Sequence, residues 1–551
     1  MSLPAEREGE RAGAAPRRLP PAWTITALLA VIYLILAPYS PDLAAASYRS
    51  DLFGRVGLSL WDNSWYGGHH LLAYSLVAPA LGSLIGPRLV AALSMTIAAG
   101  LFAIVIEGRF PARATRLAAA WLALGAGIGL LSSRVPFDLG FAIGLASLAL
   151  AQRRRLWPAL AFAVLCSLAS PVAGAFLALA YLAWALAGPV RTWPTVLTLA
   201  ALAPIGLLSL AFPEGGSQPF VPSAFYPALL GTIIVGALIG REQRALRIGA
   251  LLYALALTGS YLLPTAVGGN ADRLGSLVAG PVVACVLVGA GSGGSLRPSR
   301  RGGLALLVLA PFLLYWQANA PVADFAAATS DPAVHASYYV PLLGELKRLD
   351  IGYSARPARI EVVPTVDHWE ARWLAPHVTI ARGWERQLDR YRNMLFYEEG
   401  GATKALAPAV YERWLARNAI SYIALPDAPL DYSAKAEARL LRAAGGLSYL
   451  REVWHSRHWR LFALRDPTPL VQPPARLTSL GSESMTVIAP QPGNYILRVH
   501  FTSYWALASG AGCVEEAPGE WTEIHARQAG SFHVVIRFSL ARLFSEGPRC
   551  R

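Results

Sequence analysis

The chain has 551 residues, of which 54% are hydrophobic and only 15% charged, and its formal net charge is +14. A soluble globular chain carries about 25% charged residues, so this composition, with a mean hydropathy of +0.41, predicts an integral membrane protein. The arginines form short clusters beside apolar runs and make no basic, aromatic face. The sequence therefore argues against a nucleic acid partner, and the lipid bilayer is the expected one.

Residues 1–22 are polar and rich in arginine, and no small-residue cleavage site follows the first apolar run. This pattern predicts a cytoplasmic tail and a retained first span rather than a removed signal peptide. Apolar runs suited to helices lie at 23–40, 69–86, 88–107, 117–133, 136–152, 158–187, 194–212, 223–240, 247–264, 274–291 and 303–319.

Two of these runs need a special interpretation. The run 158–187 is too long for one span and is broken by Ser170-Pro171, so it predicts two short helices. If 69–86 crossed the bilayer, the basic cluster at 109–116 would lie outside. We therefore predict a juxtamembrane or re-entrant helix at 69–86.

These choices predict an α-helical polytopic membrane protein. About 11 spans form a transmembrane domain at 23–319, and residues 41–87 become its first external loop. The basic clusters then lie in the cytoplasm and the part of the chain after the last span lies outside.

The C-terminal part loses its long apolar runs and regains charge. The segments ARIEVVP and ISYIALP predict strands and AVYERWLARNA a helix, as in an external α/β domain at 320–466. After a proline-rich linker, alternating segments predict an external β-sandwich-like domain at 475–551. Cys513 and Cys550 lie in that domain, where either a disulfide or two free thiols are expected.

Arginine and tryptophan crowd the segment HWEARWLAPHVTIARGWERQ, which includes Arg382 and Trp384. Such side chains suit sugar rings and phosphates through stacking and paired hydrogen bonds. They are equally at home where a soluble part packs on a membrane surface. The packing interpretation is the favoured one.

The segment from Tyr48 to His70, YRSDLFGRVGLSLWDNSWYGGHH, is polar and aromatic between apolar runs. A span, then D-L-x-x-R, W-D-N-x-W-Y-G-G, an apolar helix with A-P-A-L and a multi-span bundle resemble the GT-C superfamily of membrane glycosyltransferases. Within it the chain is most similar to the YfhO-like and pyruvoyl-tetrahydropterin-synthase-related bacterial membrane proteins. The resemblance covers about residues 20–320.

The resemblance implies a transferase that moves a sugar from a polyprenyl-phosphate donor to an envelope glycan, lipid or protein acceptor. It implies a multi-pass protein of the plasma membrane that acts on the extracytoplasmic side. An acid of the first external loop, close to the end of the first span, serves as base or metal ligand in such enzymes. Asp51 is expected in that role, with Asp62 and Asp138 as helpers. Asp51 is followed by Leu52, where an acid is usual in this superfamily. The C-terminal part has no WWDYG-like sequence, which argues against an oligosaccharyltransferase.

Glycosyl transfer also needs a cationic group for the departing phosphate, and a guanidinium can grip one with two bonds. The arginines expected on the external side are Arg55, Arg134, Arg273 and Arg382. The tryptophans expected to stack on sugar are Trp61, Trp65 and Trp384.

Several alternatives stay open at this point. Asp51 is also suited to cap a helix LFGRVGLSL. No cofactor is certain, but a divalent cation is allowed, with Asp51, His69 and His70 as candidate ligands. Adjacent histidines in a helix point about 100° apart, which favours interfacial hydrogen bonding over chelation.

A non-catalytic protein is the rival function, either a transporter of lipid-linked saccharide or a glycan-binding assembly factor. Transport needs ionisable residues at mid-membrane depth. Runs such as 117–131 and 274–291 contain none, and the acids gather towards one surface. This pattern favours chemistry at the surface.

Overall fold

A computed structural model describes residues 20–189, 191–289, 300–353, 356–397, 405–443, 446–543 and 550. The predicted cytoplasmic tail lies outside the described residues as far as residue 19. The described chain begins with a helical bundle and ends with two β-rich parts. The predicted fold class is thereby confirmed, whereas the number of 11 spans stays a prediction.

Most helices of the bundle follow the apolar runs of the sequence, but Pro41–Val56 is an unpredicted helix inside the predicted first external loop 41–87. Their bounds are α1 (Trp23–Leu36), α2 (Pro41–Val56), α3 (Val77–Ile85), α4 (Pro87–Ile106), α5 (Ala112–Gly129), α6 (Val135–Gln152), α7 (Leu156–Ala169), α8 (Pro171–Ala187), α9 (Thr192–Ala211), α10 (Pro222–Leu238), α11 (Arg244–Leu262), α12 (Asp272–Gly289) and α13 (Arg300–Ser330).

Within the described ranges, six helices are long and apolar enough to cross a bilayer. They correspond to α4, α6, α9, α11, α12 and α13. The pair α1 and α2 qualifies as a seventh only if it counts as one span bent by 76°. The apolar helices α7, α8 and α10 are shorter.

The predicted break at Ser170-Pro171 is present between α7 and α8. The hydroxyl of Ser170 accepts the N–H of Ala173 at 3.3 Å and so caps α8. Pro171 takes the first helical position, where a missing N–H costs nothing. Local sequence alone therefore determines this boundary.

The predicted helix at 69–86 is wrong over its first half. Residues Trp61–Asp62 (β1) and His69–His70 (β2) pair as an antiparallel hairpin, and a helix forms only in α3. Gly67 and Gly68 adopt φ values of 74° and 111° between the strands, which a helix cannot contain. A Cβ at Gly68 would also clash with the Trp61 ring.

The first C-terminal part is a five-stranded sheet with helices. Its elements are α14 (Ala336–Arg348), β3 (Arg359–Val362), α15 (Glu370–Trp373), β4 (Thr379–Ile380), α16 (Arg386–Arg392), α17 (Pro408–Arg417), β5 (Ile420–Pro426), α18 (Lys435–Arg442), β6 (Leu450–His455) and β7 (Trp459–Leu464). The strand order is β4-β3-β5-β7-β6, with β4, β3 and β5 parallel and β7 antiparallel to its neighbours. The strands and helices predicted from ARIEVVP, ISYIALP and AVYERWLARNA are present.

The second C-terminal part is a β-sandwich. Its elements are β8 (Arg476–Leu480), β9 (Ser484–Ala489), β10 (Gly493–His500), β11 (Trp505–Ser509), β12 (Gly512–Ala517), β13 (Trp521–Ala526), β14 (Gly530–Ile536) and α19 (Leu540–Leu543). The sheets β11-β14-β9-β8 and β10-β13-β12 are antiparallel. Leu497, Ile524 and Val534 from both sheets are fully buried between them. Cys513 and Cys550 form a disulfide.

All three parts meet at residues 57–76, between α2 and α3, which we call the junction loop. The N–H of Ile380 in β4 donates to the Ser64 carbonyl at 2.9 Å. From the β-sandwich, the N–H of His500 donates to the Gly67 carbonyl at 2.7 Å. A carboxylate oxygen of Glu483 accepts the N–H of Leu60 at 2.6 Å. The loop is therefore enclosed by protein.

Candidate functional site

Carboxylates and guanidinium groups from four helices meet at one end of the bundle. Asp42 lies in the first turn of α2, Arg134 directly precedes α6, and Asp324 lies near the end of α13. The first turns of α6 and α12 supply the remaining members. We call this group the Asp42 cluster, and it consists of Asp42, Arg134, Asp138, Asp272, Arg273 and Asp324.

Two arginines approach one oxygen of Asp42. Arg134 Nε lies 3.4 Å and Arg273 Nη2 lies 3.9 Å from Asp42 Oδ2. Arg134 Nη2 lies 3.9 Å from Asp324 Oδ2. Charge-assisted hydrogen bonds are about 2.7–2.9 Å long. The guanidinium groups are therefore held beside the carboxylates without being saturated by them.

The bend between α1 and α2 places Asp42 in this position. Arg88 Nη2 donates to the carbonyls of Ala37 and Pro38 at 2.9 and 3.0 Å. Trp384 Nε1 donates to the carbonyl of Pro41 at 2.7 Å. These bonds satisfy carbonyl groups that the end of α1 leaves without helical partners. The start of α2 is thereby fixed to α4 and to the α/β part.

The cluster borders a small cavity inside the bundle. The cavity has a volume of about 40 Å³, and its polar lining is Arg134, Asp138, Arg273, Ser276 and Gln317. Asp138 is 3% exposed, and its Oδ2 has no hydrogen-bond partner among the described residues. A buried carboxylate oxygen without a partner is costly, so this oxygen is poised to accept a bond from a bound molecule.

Two further carboxylates of the cluster have neutral partners. Ser132 donates to Asp324 Oδ2 at 2.5 Å, and Trp316 Nε1 donates to Asp272 Oδ1 at 2.7 Å. Within the described ranges, no three carboxylates of the cluster come together at metal-binding separations. A metal requirement stays a prediction of the sequence.

The cluster unites three of the residues predicted from the sequence, Asp138, Arg134 and Arg273, around an acid that was not predicted. The position of Asp42 in the sequence nevertheless points to it. It stands in the first turn after α1 ends and follows Ser40-Pro41, so it fits a position close to the end of the first span better than Asp51 does.

The other two predicted acids lie elsewhere. Asp51 is in the middle of α2, so the capping alternative is wrong, and its half-exposed side chain pairs with Arg372. Asp62 is fully buried. Its carboxylate accepts the Tyr48 hydroxyl at 2.8 Å and the Ser64 N–H at 3.0 Å. Those bonds give Asp62 a structural role in the junction loop.

The structure also separates the predicted phosphate ligands. Arg55 is exposed on α2, away from the cluster. Arg382 is buried and binds Asp389 through two nitrogens, with the shortest distance 2.6 Å. Burial raises the pKa of Asp389, and the Arg382 guanidinium outweighs this and lowers it. Arg382 is thus engaged within the α/β part.

Protein side chains cover the rings that were expected to stack on sugar in the junction loop. The Trp65 ring stacks on Tyr48 and His69, with centroids 4.6 and 5.4 Å away. Trp61 is 1% exposed. Their burial corrects the stacking prediction, because neither ring has a face open to a ligand. Trp384 is partly exposed and remains beside the cluster through Pro41.

The histidine pair lies in β2 rather than in a helix, so the two side chains point to opposite faces. Burial lowers the pKa of His69 to about 4. His70 contacts the Thr502 hydroxyl at 3.0 Å and the Pro213 carbonyl at 3.1 Å. Asp51, His69 and His70 do not form a group of metal ligands, which corrects that prediction.

Comparisons with known proteins matched solved structures only. The arabinofuranosyltransferase AftD from Mycobacteria has 17% identity and a TM-score of 0.47, over 86% of this chain and 41% of that one. An Archaeoglobus fulgidus oligosaccharyltransferase, tethered with an acceptor peptide, has 15% identity and a TM-score of 0.38, over 81% and 74%. The same organism's AglB, with an inhibitory peptide and a dolichol-phosphate, has 12% identity and a TM-score of 0.36, over 74% and 69%.

By name these proteins are an arabinofuranosyltransferase and oligosaccharyltransferases. The chain spans about two fifths of the length of the mycobacterial protein. No protein-family profile and no curated protein matches it. The TM-scores of these three structures lie below 0.5.

The arginine- and tryptophan-rich segment forms a buried ionic network in the α/β part. Arg386 binds Asp431 through two nitrogens at 2.6 and 2.8 Å. His368 lies 3.2 Å from Glu370 and 3.6 Å from Asp431. Burial by itself lowers the pKa of His368, but hydrogen bonds to Asp431 and Glu370 more than offset this and raise it to about 9. These contacts lie inside the α/β part, so the packing of this segment on a membrane surface stays a prediction.

We predict that His368→Gln flattens the pH dependence of stability on the alkaline side. Because the folded pKa is raised, protonated His368 stabilises fully below pH 6.5, and this contribution is lost as the pH rises to about 9. A shift of this size is worth up to about 3 kcal/mol. Thermal unfolding in detergent at pH 6, 7.5 and 9 measures it.

His455→Gln, at an exposed position on β6, is the matched control. Its unfolding temperature should depend on pH as that of the original protein does. Parallel pH curves for His368→Gln and the original protein would contradict the role of the histidine.

Proposed function

We propose that the protein is a membrane glycosyltransferase that moves a sugar from a polyprenyl-phosphate donor to an envelope glycan, lipid or protein. The observation that carries the proposal is the approach of Arg134 and Arg273 to Asp42 where the apolar helices end. A lipid-linked donor keeps its chain in the bilayer and its phosphate at the membrane surface. An acid and two unsaturated guanidinium groups at that level suit both halves of the reaction.

In the proposed reaction, Asp42 accepts the proton of the acceptor hydroxyl as general base. The acceptor oxygen attacks the anomeric carbon, and the bond from that carbon to the phosphate oxygen breaks. Arg134 and Arg273 hold the phosphate as it departs with the electron pair. Asp138 lines the cavity beside both arginines, where its Oδ2 can accept a hydrogen bond from the bound sugar.

A non-catalytic transporter or glycan-binding factor is the rival. A transporter needs ionisable groups along a path through the membrane. The members of the Asp42 cluster instead lie together at one end of α6, α12 and α13, and residues 274–289 of α12 are all uncharged. A factor that binds glycan without catalysis is an outcome of the Asp42 experiment below.

The extracytoplasmic side is part of the proposal. Arg113 and Arg116 begin α5, Arg153 follows α6, and Arg244 begins α11, all at helix ends opposite to the Asp42 cluster. Basic residues of short loops stay in the cytoplasm. The cluster and both C-terminal parts then face outward from the plasma membrane.

We predict that a cysteine placed at Arg55 reacts with a membrane-impermeant maleimide on intact cells, and that one at Arg153 reacts only after permeabilisation. Both positions are exposed. Background is low because Cys166 and Cys285 are buried and the other two cysteines form a disulfide. The reverse labelling pattern would place the Asp42 cluster in the cytoplasm.

We predict that Asp42→Asn lowers sugar transfer by about 10²- to 10⁴-fold, since it removes the base. Transfer from a panel of short-chain polyprenyl-phosphate pentoses and hexoses measures this in detergent. Asp51→Asn, on the same helix but paired with Arg372, is the matched control and should stay within about threefold of the original protein.

Loss in Asp51→Asn with activity retained in Asp42→Asn would return the catalytic role to Asp51. Donor binding without transfer in the original protein would favour the non-catalytic factor.

We predict that Arg273→Gln weakens donor binding by about 10- to 100-fold, because one charged hydrogen bond to phosphate is lost. Titration with a short-chain polyprenyl phosphate and the donor KM measure the effect. Arg55→Gln removes an exposed guanidinium from α2 and should leave both values unchanged. Equal effects of the two substitutions would indicate a general charge effect on an anionic lipid.

A further inference from the structure

Strands β12 and β13 of the β-sandwich carry four metal-binding side chains on one face. Cys513 stands opposite His525, and Glu515 stands opposite Glu523 in the antiparallel register. Alternate residues of a strand share a face, so these four side chains form a square. We call it the hairpin square. It is separate from the Asp42 cluster.

The ligand atoms of the square converge. The Nε2 atom of His525 contacts the Glu515 carboxylate and lies 3.4 Å from Glu523 Oε2. That nitrogen is buried and faces both carboxylates. The sulfur of Cys550 lies within 4.8 Å of the ligand atoms of Glu515 and His525.

The arrangement is unfavourable for the protein by itself. Like charges directly opposite each other on neighbouring strands destabilise a sheet. Glu515 and Glu523 are in that position, and their side chains are only 20% and 18% exposed, so water screens them incompletely. A cation between the two carboxylates would remove the repulsion, and the His525 nitrogen faces the same space as a third ligand.

The spacing suits zinc. Zinc binds imidazole nitrogen and carboxylate oxygen at about 2.0–2.2 Å, which puts neighbouring ligands of a tetrahedral site about 3.3–3.5 Å apart. The distance between His525 Nε2 and Glu523 Oε2 matches this value. The Glu515 carboxylate contacts His525 Nε2 directly and would move back to admit the ion. A nitrogen ligand with only two carboxylates disfavours calcium and magnesium, which prefer sets of oxygen ligands.

We propose that the hairpin square is a zinc site. Glu515, Glu523 and His525 supply three ligands and water the fourth. Cys550 is bonded to Cys513, so its sulfur is no thiolate ligand, and the disulfide instead closes one side of the site. Zinc would join strands β12 and β13 across the hairpin through Glu515, Glu523 and His525.

The experiment uses the full-length, tag-free protein in detergent with its disulfide intact. After chelator treatment it is titrated with Co²⁺, whose visible absorption reports a tetrahedral site, and Zn²⁺ then displaces the cobalt. We expect one equivalent per chain. His525→Gln and Glu515→Gln should each weaken binding at least tenfold. Glu516→Gln, on the opposite and exposed face of β12, is the matched control and should bind as the original protein does.

Thermal unfolding gives a readout that does not depend on the cobalt spectrum. Zn²⁺ should raise the unfolding temperature of the original protein and of Glu516→Gln but not that of His525→Gln. Absence of saturable Zn²⁺ binding, equal binding by His525→Gln, or a preference for Ca²⁺ over Zn²⁺ would each overturn the proposal. If Zn²⁺ does not change the unfolding temperature of the original protein, the proposal is also overturned. His525 is then only an ion-pair partner of the two glutamates.

Discussion

Residues 61–70 of the junction loop are all buried, and their backbone polar groups therefore need hydrogen-bond partners within the protein. The α/β part supplies the N–H of Ile380, and the β-sandwich supplies the carboxylate of Glu483. Arg392 donates to the carbonyl of Tyr66 at 3.1 Å. Leaving such groups unpaired would cost about 1–3 kcal/mol each. The three parts are thus held together by the hydrogen-bonding needs of one short segment.

This joint also positions the candidate active site. Helix α2 begins at the bundle with Asp42 and leads directly into the junction loop. Arg49, in the middle of α2, forms a buried ion pair with Glu385 and lies over the ring of Tyr74 at 4.2 Å. Trp384, the residue before Glu385, donates a hydrogen bond to the Pro41 carbonyl. The start and the middle of α2 are therefore fixed by the α/β part, and a change in that part would be transmitted to Asp42.

The sequence predicts what is local. Apolar runs predict the helices, and Ser170-Pro171 predicts the break between α7 and α8, because the capping bond spans only three residues. The segment WDNSWYGG contains Trp61, Asp62 and Trp65, which were predicted as site residues but are buried in the fold. Its tryptophans are buried by partners about 300 residues away, such as the Ala371 carbonyl that accepts from Trp65 Nε1. Asp42 was missed for the same reason, since Arg134 and Arg273 reach it only in the folded bundle.

The pairing of the junction loop with the β-sandwich has a consequence for the order in which the protein is made. The N–H groups of Leu60 and Trp61 donate to the carboxylate of Glu483, which lies more than 400 residues further along the chain. While the chain is still being synthesised, only water or lipid headgroups can satisfy them. Leu60 and Trp61 are synthesised early, and their hydrogen bonds are completed only when Glu483 has been synthesised. A ribosome that stops before residue 483 would release a chain with its spans in place and its first loop still open.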